Sequence, residues 1–118
     1  LKFKHSGKCL DKDPVIAHFI QYDCHNGRNQ KFSVIFDDAG NGIFQLKSEE
    51  GKVVTVENAN INNGAKLIPT NLTGNNEQLF KLEPDSNGLY TLRSILSNRC
   101  IEIGGASKNN LAAANMVF

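Results

Sequence analysis

Apolar residues in this chain sit two apart over short stretches. Leu1 and Phe3 alternate with Lys2 and Lys4, Ile20 and Tyr22 with Gln21 and Asp23, and Phe32, Val34 and Phe36 again stand two apart. A period of two is the pattern of a strand with one face buried. No window of helical length keeps an i, i+3, i+4 apolar pattern. The pattern predicts strands near 2–5, 8–11, 18–23 and 30–36, then near 43–47, 52–57, 66–69 and 78–82, then near 89–93, 99–103 and 112–118. The connectors Asn26-Gly27, Asp37–Gly42, Asn62-Asn63-Gly64, Gly74-Asn75-Asn76 and Asp85–Gly88 are built from Asn, Asp and Gly, which tolerate positive φ in tight turns.

The stretches repeat. Leu1–His5 followed by Gly7–Asp11 returns as Phe44–Ser48 followed by Gly51–Val56, and again as Tyr90–Ser94 followed by Asn98–Ile103. Phe3, Leu46 and Leu92 are separated by 43 and 46 residues, and Cys9, Val53 and Cys100 by 44 and 47. Gln30-Lys31-Phe32 reappears 48 residues on as Gln78-Leu79-Phe80. A unit of about four short strands cannot bury its apolar face alone, whereas three such units can close around one core. The expected fold is all-β, with three pseudo-repeats at about 1–38, 39–86 and 87–118 in one domain spanning 1–118. The third is expected to be incomplete, since the chain stops at Phe118 before any Gln-x-Phe element.

These residues carry a resemblance. Gly7-Lys8-Cys9-Leu10-Asp11, Ile20-Gln21-Tyr22-Asp23-Cys24 and Asn29-Gln30-Lys31-Phe32 resemble, in order, the G-x-C-L-D, V-Q-x-(W/Y)-D-C and N-Q-x-W elements of the R-type, or ricin B-chain-like, β-trefoil lectins. The resemblance is strong over residues 7–34 and runs through core positions and turns elsewhere. The chain departs from the pattern by containing no Trp, so Phe32 and Phe80 take the core positions usual for Trp. The second repeat lacks both cysteines, and the third has only Cys100.

Three cysteines with no C-x-x-C spacing give no support to a zinc ribbon or a thioredoxin-like motif. Cys9 and Cys24 are compatible either with a bridge in a secreted domain or with buried free thiols, and the repeat favours the bridge. Cys100 is left over.

The resemblance implies a sugar site in the first repeat. A hexose presents hydroxyls in fixed directions and one apolar C–H face, so a site needs a carboxylate, an amide and an aromatic ring. Asp11 would accept from two hydroxyls, Tyr22 would stack on the pyranose face, and Asn29 would bond a further hydroxyl. Gln30 would support the carboxylate from behind, and His25 would touch the sugar edge. A Cys9–Cys24 bridge would hold together the strands bearing Asp11 and Tyr22. In the second repeat Thr55 or Glu57 falls near the Asp11 position, Thr70 near Tyr22 and Glu77 near Asn29, which reads as a structural copy. In the third, Glu102 aligns with Asp11 and Phe118 falls near Tyr22.

Charge and composition narrow the classes. Thirteen Lys and Arg against twelve Asp and Glu give a net charge of +1, and the basic residues are scattered. That demotes nucleic acid and anionic membrane as partners. No apolar run reaches the roughly 20 residues of a membrane span. His5, His18 and His25 lack ligand partners at i+2 or i+4, so no metal and no cofactor are expected. No Ser-His-Asp, Cys-His or Gly-x-Ser-x-Gly arrangement is visible, and the adjacent Glu49-Glu50 is not a glycosidase pair. Asn71-Leu72-Thr73 is a glycosylation sequon if the protein is secreted from a eukaryote. The expectation is a non-enzymatic lectin module that binds glycans, with the galactose type implied by the resemblance. It would be secreted and would form the targeting part of a larger protein or toxin. The alternative is a trefoil subunit for protein–protein contact or toxin assembly, with a vestigial sugar site and other subunits or domains as partners.

Overall fold

With one exception, each alternating stretch forms a strand in the computed structural model, which describes residues 1–36, 42–84, 86–103 and 107–117. The strands are β1 (Cys9–Asp11), β2 (Ile20–Tyr22), β3 (Phe32–Phe36), β4 (Ile43–Ser48), β5 (Val53–Val56), β6 (Ala65–Thr70), β7 (Phe80–Pro84), β8 (Tyr90–Ser94), β9 (Cys100–Ile103) and β10 (Ala114–Val117). The exception is 2–5. The chain turns directly after Phe3, where Phe3 N–H donates to Lys8 C=O and Gly7 N–H to Phe3 C=O, both at 2.8 Å. Only Lys2 is left to bridge Cys9. Gly7 makes this turn at φ +70°, a left-handed conformation open to glycine without strain.

Three antiparallel hairpins share one register. Cys9 faces Tyr22 in β1–β2, Val53 faces Thr70 in β5–β6, and Cys100 faces Val117 in β9–β10. They converge on one another. Ile20 bridges Ala113, β6 pairs with β10, Phe19 N–H donates to Leu67 C=O and Ala114 N–H to Phe19 C=O. The remaining strands form the wall below. β3 pairs with β4 over five residues, β4 pairs with β7 at Phe44 and Phe80, and β7 pairs with β8 over five residues. This is the β-trefoil arrangement.

The core lies where hairpins and wall meet. Leu10, Phe19, Val54, Val56, Leu67, Phe80 and Met116 are fully buried there. Phe80 is wholly enclosed, while Phe32 is partly buried and packs its ring on Phe19 at 5.8 Å between centroids. Burial of each such side chain stabilises the fold by about 1.5–3 kcal/mol.

Gln30 and Gln78, where the pattern predicts the start of a strand, lie instead in the turns ahead of β3 and β7. Each is one turn of 3₁₀ helix, Arg28–Gln30 and Asn76–Gln78, with Gln30 and Gln78 buried. The turn lifts the glutamine out of the strand line and aims its amide beneath the hairpin. Among the described residues β10 is the last strand, so the third set has β8, β9 and β10 but no counterpart of β3 and β7.

Candidate functional site

The first hairpin brings the predicted residues together. Asp11 ends β1 and is only 2% exposed. Removing a carboxylate from water is costly unless hydrogen bonds replace its hydration. Here they do. Asn29 Nδ2 donates to Asp11 Oδ1 at 2.8 Å, and Gln30 Nε2 donates to Oδ2 at 2.7 Å. Lys12 N–H donates to Asn29 C=O at 2.9 Å, which ties the end of β1 to the 3₁₀ turn and sets the amide in place. Gln30 also closes the loop above it, accepting from His25 N–H at 3.0 Å and donating to Asp23 C=O at 2.8 Å. A carboxylate has about four acceptor positions, so two amides leave it with capacity for more donors.

The exposed rim is aromatic. Tyr22 is 36% exposed and meets His25 edge-on, with centroids 6.1 Å apart. His25 Nδ1 accepts from Gly27 N–H at 3.0 Å, so the neutral ring carries its proton on Nε2. That atom lies 3.6 Å from Asp11 Oδ2. The disulfide joins Cys9 to Cys24, with Cα atoms 5.2 Å apart. It fixes the chain just beyond Tyr22 to the strand that carries Asp11. Asp11, Tyr22, His25, Asn29 and Gln30 therefore form one cluster.

The second hairpin repeats the frame without the chemistry. The register puts Thr55, rather than Glu57, at the Asp11 position and Thr70 at the Tyr22 position. Their hydroxyls bond each other at 2.7 Å. Gln78 does what Gln30 does: it accepts from Thr73 N–H at 2.7 Å and donates to Asn71 C=O at 2.7 Å and Thr70 Oγ1 at 3.0 Å. In the third hairpin the residue opposite Cys100 is Val117, one before the expected Phe118, which lies outside the described residues. Glu102 sits at the Asp11 position but is exposed, because no 3₁₀ turn with a glutamine lies over it among the described residues.

Three features escaped the sequence. Gly27 has φ −75°, so its role is space. A Cβ there would stand 2.5 Å from His25 Cε1 and 3.0 Å from Asn29 Oδ1. Asp23, beside Tyr22, accepts from Lys8 Nζ at 2.5 Å and from Asn110 Nδ2 at 3.1 Å. The Lys8 bond, then the Asn110 bond, hold its carboxyl below the usual carboxylate range. Gln21, wholly buried, takes the hydroxyl hydrogen of Ser6 and donates to the carbonyls of Ser107 and Asn109 at 2.9 and 2.8 Å. Ser107 and Asn109 lie 86 and 88 residues away, a distance no local pattern reads. His5 is taken up elsewhere, with Nε2 2.7 Å from Ser107 C=O.

Known proteins place this frame. No curated protein matches the chain in sequence. Among solved structures it is similar to ThreeFoil, a designed three-fold symmetric protein, at 30% identity and TM-score 0.90 over 98% of this chain and 84% of that one. It is similar to an exo-β-1,3-galactanase from Clostridium thermocellum at 21% identity and TM-score 0.86, over 98% of this chain but only 26% of the galactanase. It is also similar to a ricin B-like lectin from Macrolepiota procera, solved in complex with lactose, at 16% identity and TM-score 0.82 over 99% of this chain and 82% of the lectin. The family model described as ricin-type beta-trefoil lectin domain-like matches residues 1–68 and again residues 48–117. The chain belongs to the ricin-type β-trefoil lectin domain-like family.

Proposed function

We propose that the chain is a non-enzymatic carbohydrate-binding module that takes a glycan at the first hairpin. The observation that carries this is the buried Asp11 carboxylate, held by Asn29 and Gln30 beside the exposed Tyr22 ring. Asp11 accepts from two adjacent hydroxyls, Asn29 bonds a third, Tyr22 stacks on the C–H face and His25 Nε2–H reaches the sugar edge. Gln30 positions the carboxylate and does not itself need to touch sugar. No cofactor takes part. A terminal galactose-type sugar is the preferred ligand, supported by the likeness to a lectin solved with lactose and to a galactanase.

The module spans 1–118 as one domain with repeats at about 1–38, 39–86 and 87–118. It is secreted, which the Cys9–Cys24 bridge supports. Among the described residues no helix is long and apolar enough to cross a membrane. It serves within a larger protein or toxin, alongside other subunits or domains. Its likeness to a Haemophilus ducreyi cytolethal distending toxin chain, at 17% identity and TM-score 0.76, supports that setting.

A glycan array followed by lactose titration tests the site. The chain is expected to bind. Asp11→Asn and Tyr22→Ala are each expected to lower affinity about tenfold or more, the worth of a hydrogen bond to a charged group or of a stacked ring. Tyr22→Ala changes an exposed ring and should leave the unfolding midpoint near that of the parent. If no glycan binds above the Asp11→Ala background, or if both variants bind as the parent does, the assignment is wrong.

A further inference from the structure

The flank of the first hairpin is lined by a loop from the third repeat. Ile20 bridges Ala113, Gln21 N–H donates to Ala112 C=O at 3.0 Å, and Leu111 N–H donates to Gln21 C=O at 2.9 Å. Along this antiparallel line Leu111 falls opposite Tyr22, and Asn110 opposite Asp23. Asp23 holds the Asn110 amide at both ends. Its N–H donates to Asn110 Oδ1 at 2.9 Å, and Asn110 Nδ2 donates to Asp23 Oδ2 at 3.1 Å. Gln21 Nε2 binds the same loop at the carbonyls of Ser107 and Asn109. Residues 107–111 are thus fastened along β2, next to the ring that the glycan site presents to solvent.

Leu111 is held there in a conformation that does not suit it. Its φ is +72°, in the left-handed region where the Cβ of an L residue crowds the backbone and which bulky side chains seldom adopt. Burial would offset that strain, yet Leu111 is 51% exposed and stands outside the core cluster. The second repeat shows the same place without the strain. There Gly64 N–H donates to Met116 C=O at 2.7 Å, as Leu111 N–H donates to Gln21 C=O, and Met116 faces Ile101 as Gln21 faces Leu10. Gly64 has φ +86°, which glycine adopts freely. The backbone at this junction suits glycine, and beside Tyr22 the chain has leucine instead. Strain that surrounding bonds maintain and that packing does not offset points to a functional position.

We infer that Leu111 is a specificity-determining residue of the glycan site, an aliphatic platform for the second sugar of an oligosaccharide whose terminal sugar stacks on Tyr22. The inference rests on the glycan reading of the first hairpin and deepens it. A pyranose carries C–H groups that lose water favourably against an apolar surface, and the exposed isobutyl group supplies that surface beyond the tyrosine ring. Asn110 is the positioning residue: bonded to Asp23 at both ends of its amide, it keeps Leu111 in place. The site therefore spans two repeats, and a free monosaccharide uses only part of it.

The test compares galactose with lactose on the full chain by isothermal titration. The parent is expected to bind lactose about fivefold more tightly than galactose. Leu111→Gly fits the left-handed backbone, as Gly64 does, and Leu111→Asn keeps a branched polar side chain that also tolerates it. Both variants should keep the parent's galactose affinity and bind lactose no more tightly than galactose. A parent without a lactose preference, or a preference that survives both substitutions, overturns the role of Leu111 and leaves the site at Asp11 standing. An equal loss for both sugars also overturns it, because Leu111 then acts on the loop alone. If the parent binds neither sugar, the galactose-type assignment at Asp11 fails, and the role of Leu111 fails with it.

Discussion

At the scale of residues, the candidate site is a short list of atoms held by two amides. Asp11 sits in a nearly closed position with one carboxylate oxygen bonded by Asn29 and the other by Gln30. The identities of Asp11, Tyr22, His25, Asn29 and Gln30 were legible in the sequence as a set of the right chemical types. What the sequence could not show is that Asp11 is buried while Tyr22 is open, since both lie in strands of the same alternating pattern. Nor could it show why Gly27 is a glycine: Asn26-Gly27 reads as positive-φ chemistry, yet only Asn26 uses it, at φ 62°. The Gly27→Ala change therefore strains no backbone angle but drives a methyl into His25 Cε1 and against Asn29 Oδ1. Lactose affinity is expected to fall several-fold, while stability stays within about 1 kcal/mol of the parent, since His25 is exposed and can swing away. Titration of the variant beside a urea melt checks it. An unchanged affinity would mean that His25 does not border the ligand.

At the scale of elements, the unit of construction is a hairpin with a glutamine beneath it. Gln30 and Gln78 bond their loops in the same way, from the same 3₁₀ turn. One copy carries an acid with amides, the other two threonines that bond each other. The first hairpin is short, with three residues per strand, and a two-strand piece of that size is marginal alone. The Cys9–Cys24 bridge compensates, closing a separation of 15 residues. The double change of Cys9 and Cys24 to Ser should cost about 3 kcal/mol in the chain-entropy picture. It should also weaken glycan binding beyond what the stability loss explains, because Tyr22 and Asp11 lose their common anchor. Denaturant unfolding in parallel with titration at low temperature separates the two effects. Equal stability of the two proteins would show that the bridge constrains nothing.

At the scale of the molecule, the three hairpins and the wall are joined by contacts that cross most of the chain. Gln21 is the clearest. Its amide ties β2 to the loop at Ser107 and Asn109, and its neighbour Asp23 binds Asn110 from the same loop. The Gln21→Ala change removes the donor from the Ser107 and Asn109 carbonyls, leaving Ser107 only its His5 contact, and takes the acceptor from Ser6, so stability should fall by about 1–3 kcal/mol. Amide exchange at Leu111, whose N–H bonds Gln21 C=O at 2.9 Å, should quicken more than exchange in β5. Uniform loss of protection would show that the loop is not clamped there.

The sequence by itself determined the period of two, the turns, the threefold recurrence and the chemical types gathered near Asp11. These are local, because strand alternation and turn preference are set within a few residues. Only the tertiary structure decided burial, register and closure. Whether Thr55 or Glu57 matches Asp11, whether Val117 or Phe118 faces Cys100, and which glutamine bonds which acid depend on pairing between distant strands. A slip of one residue would exchange the two faces of a strand, and nothing within a strand forbids it.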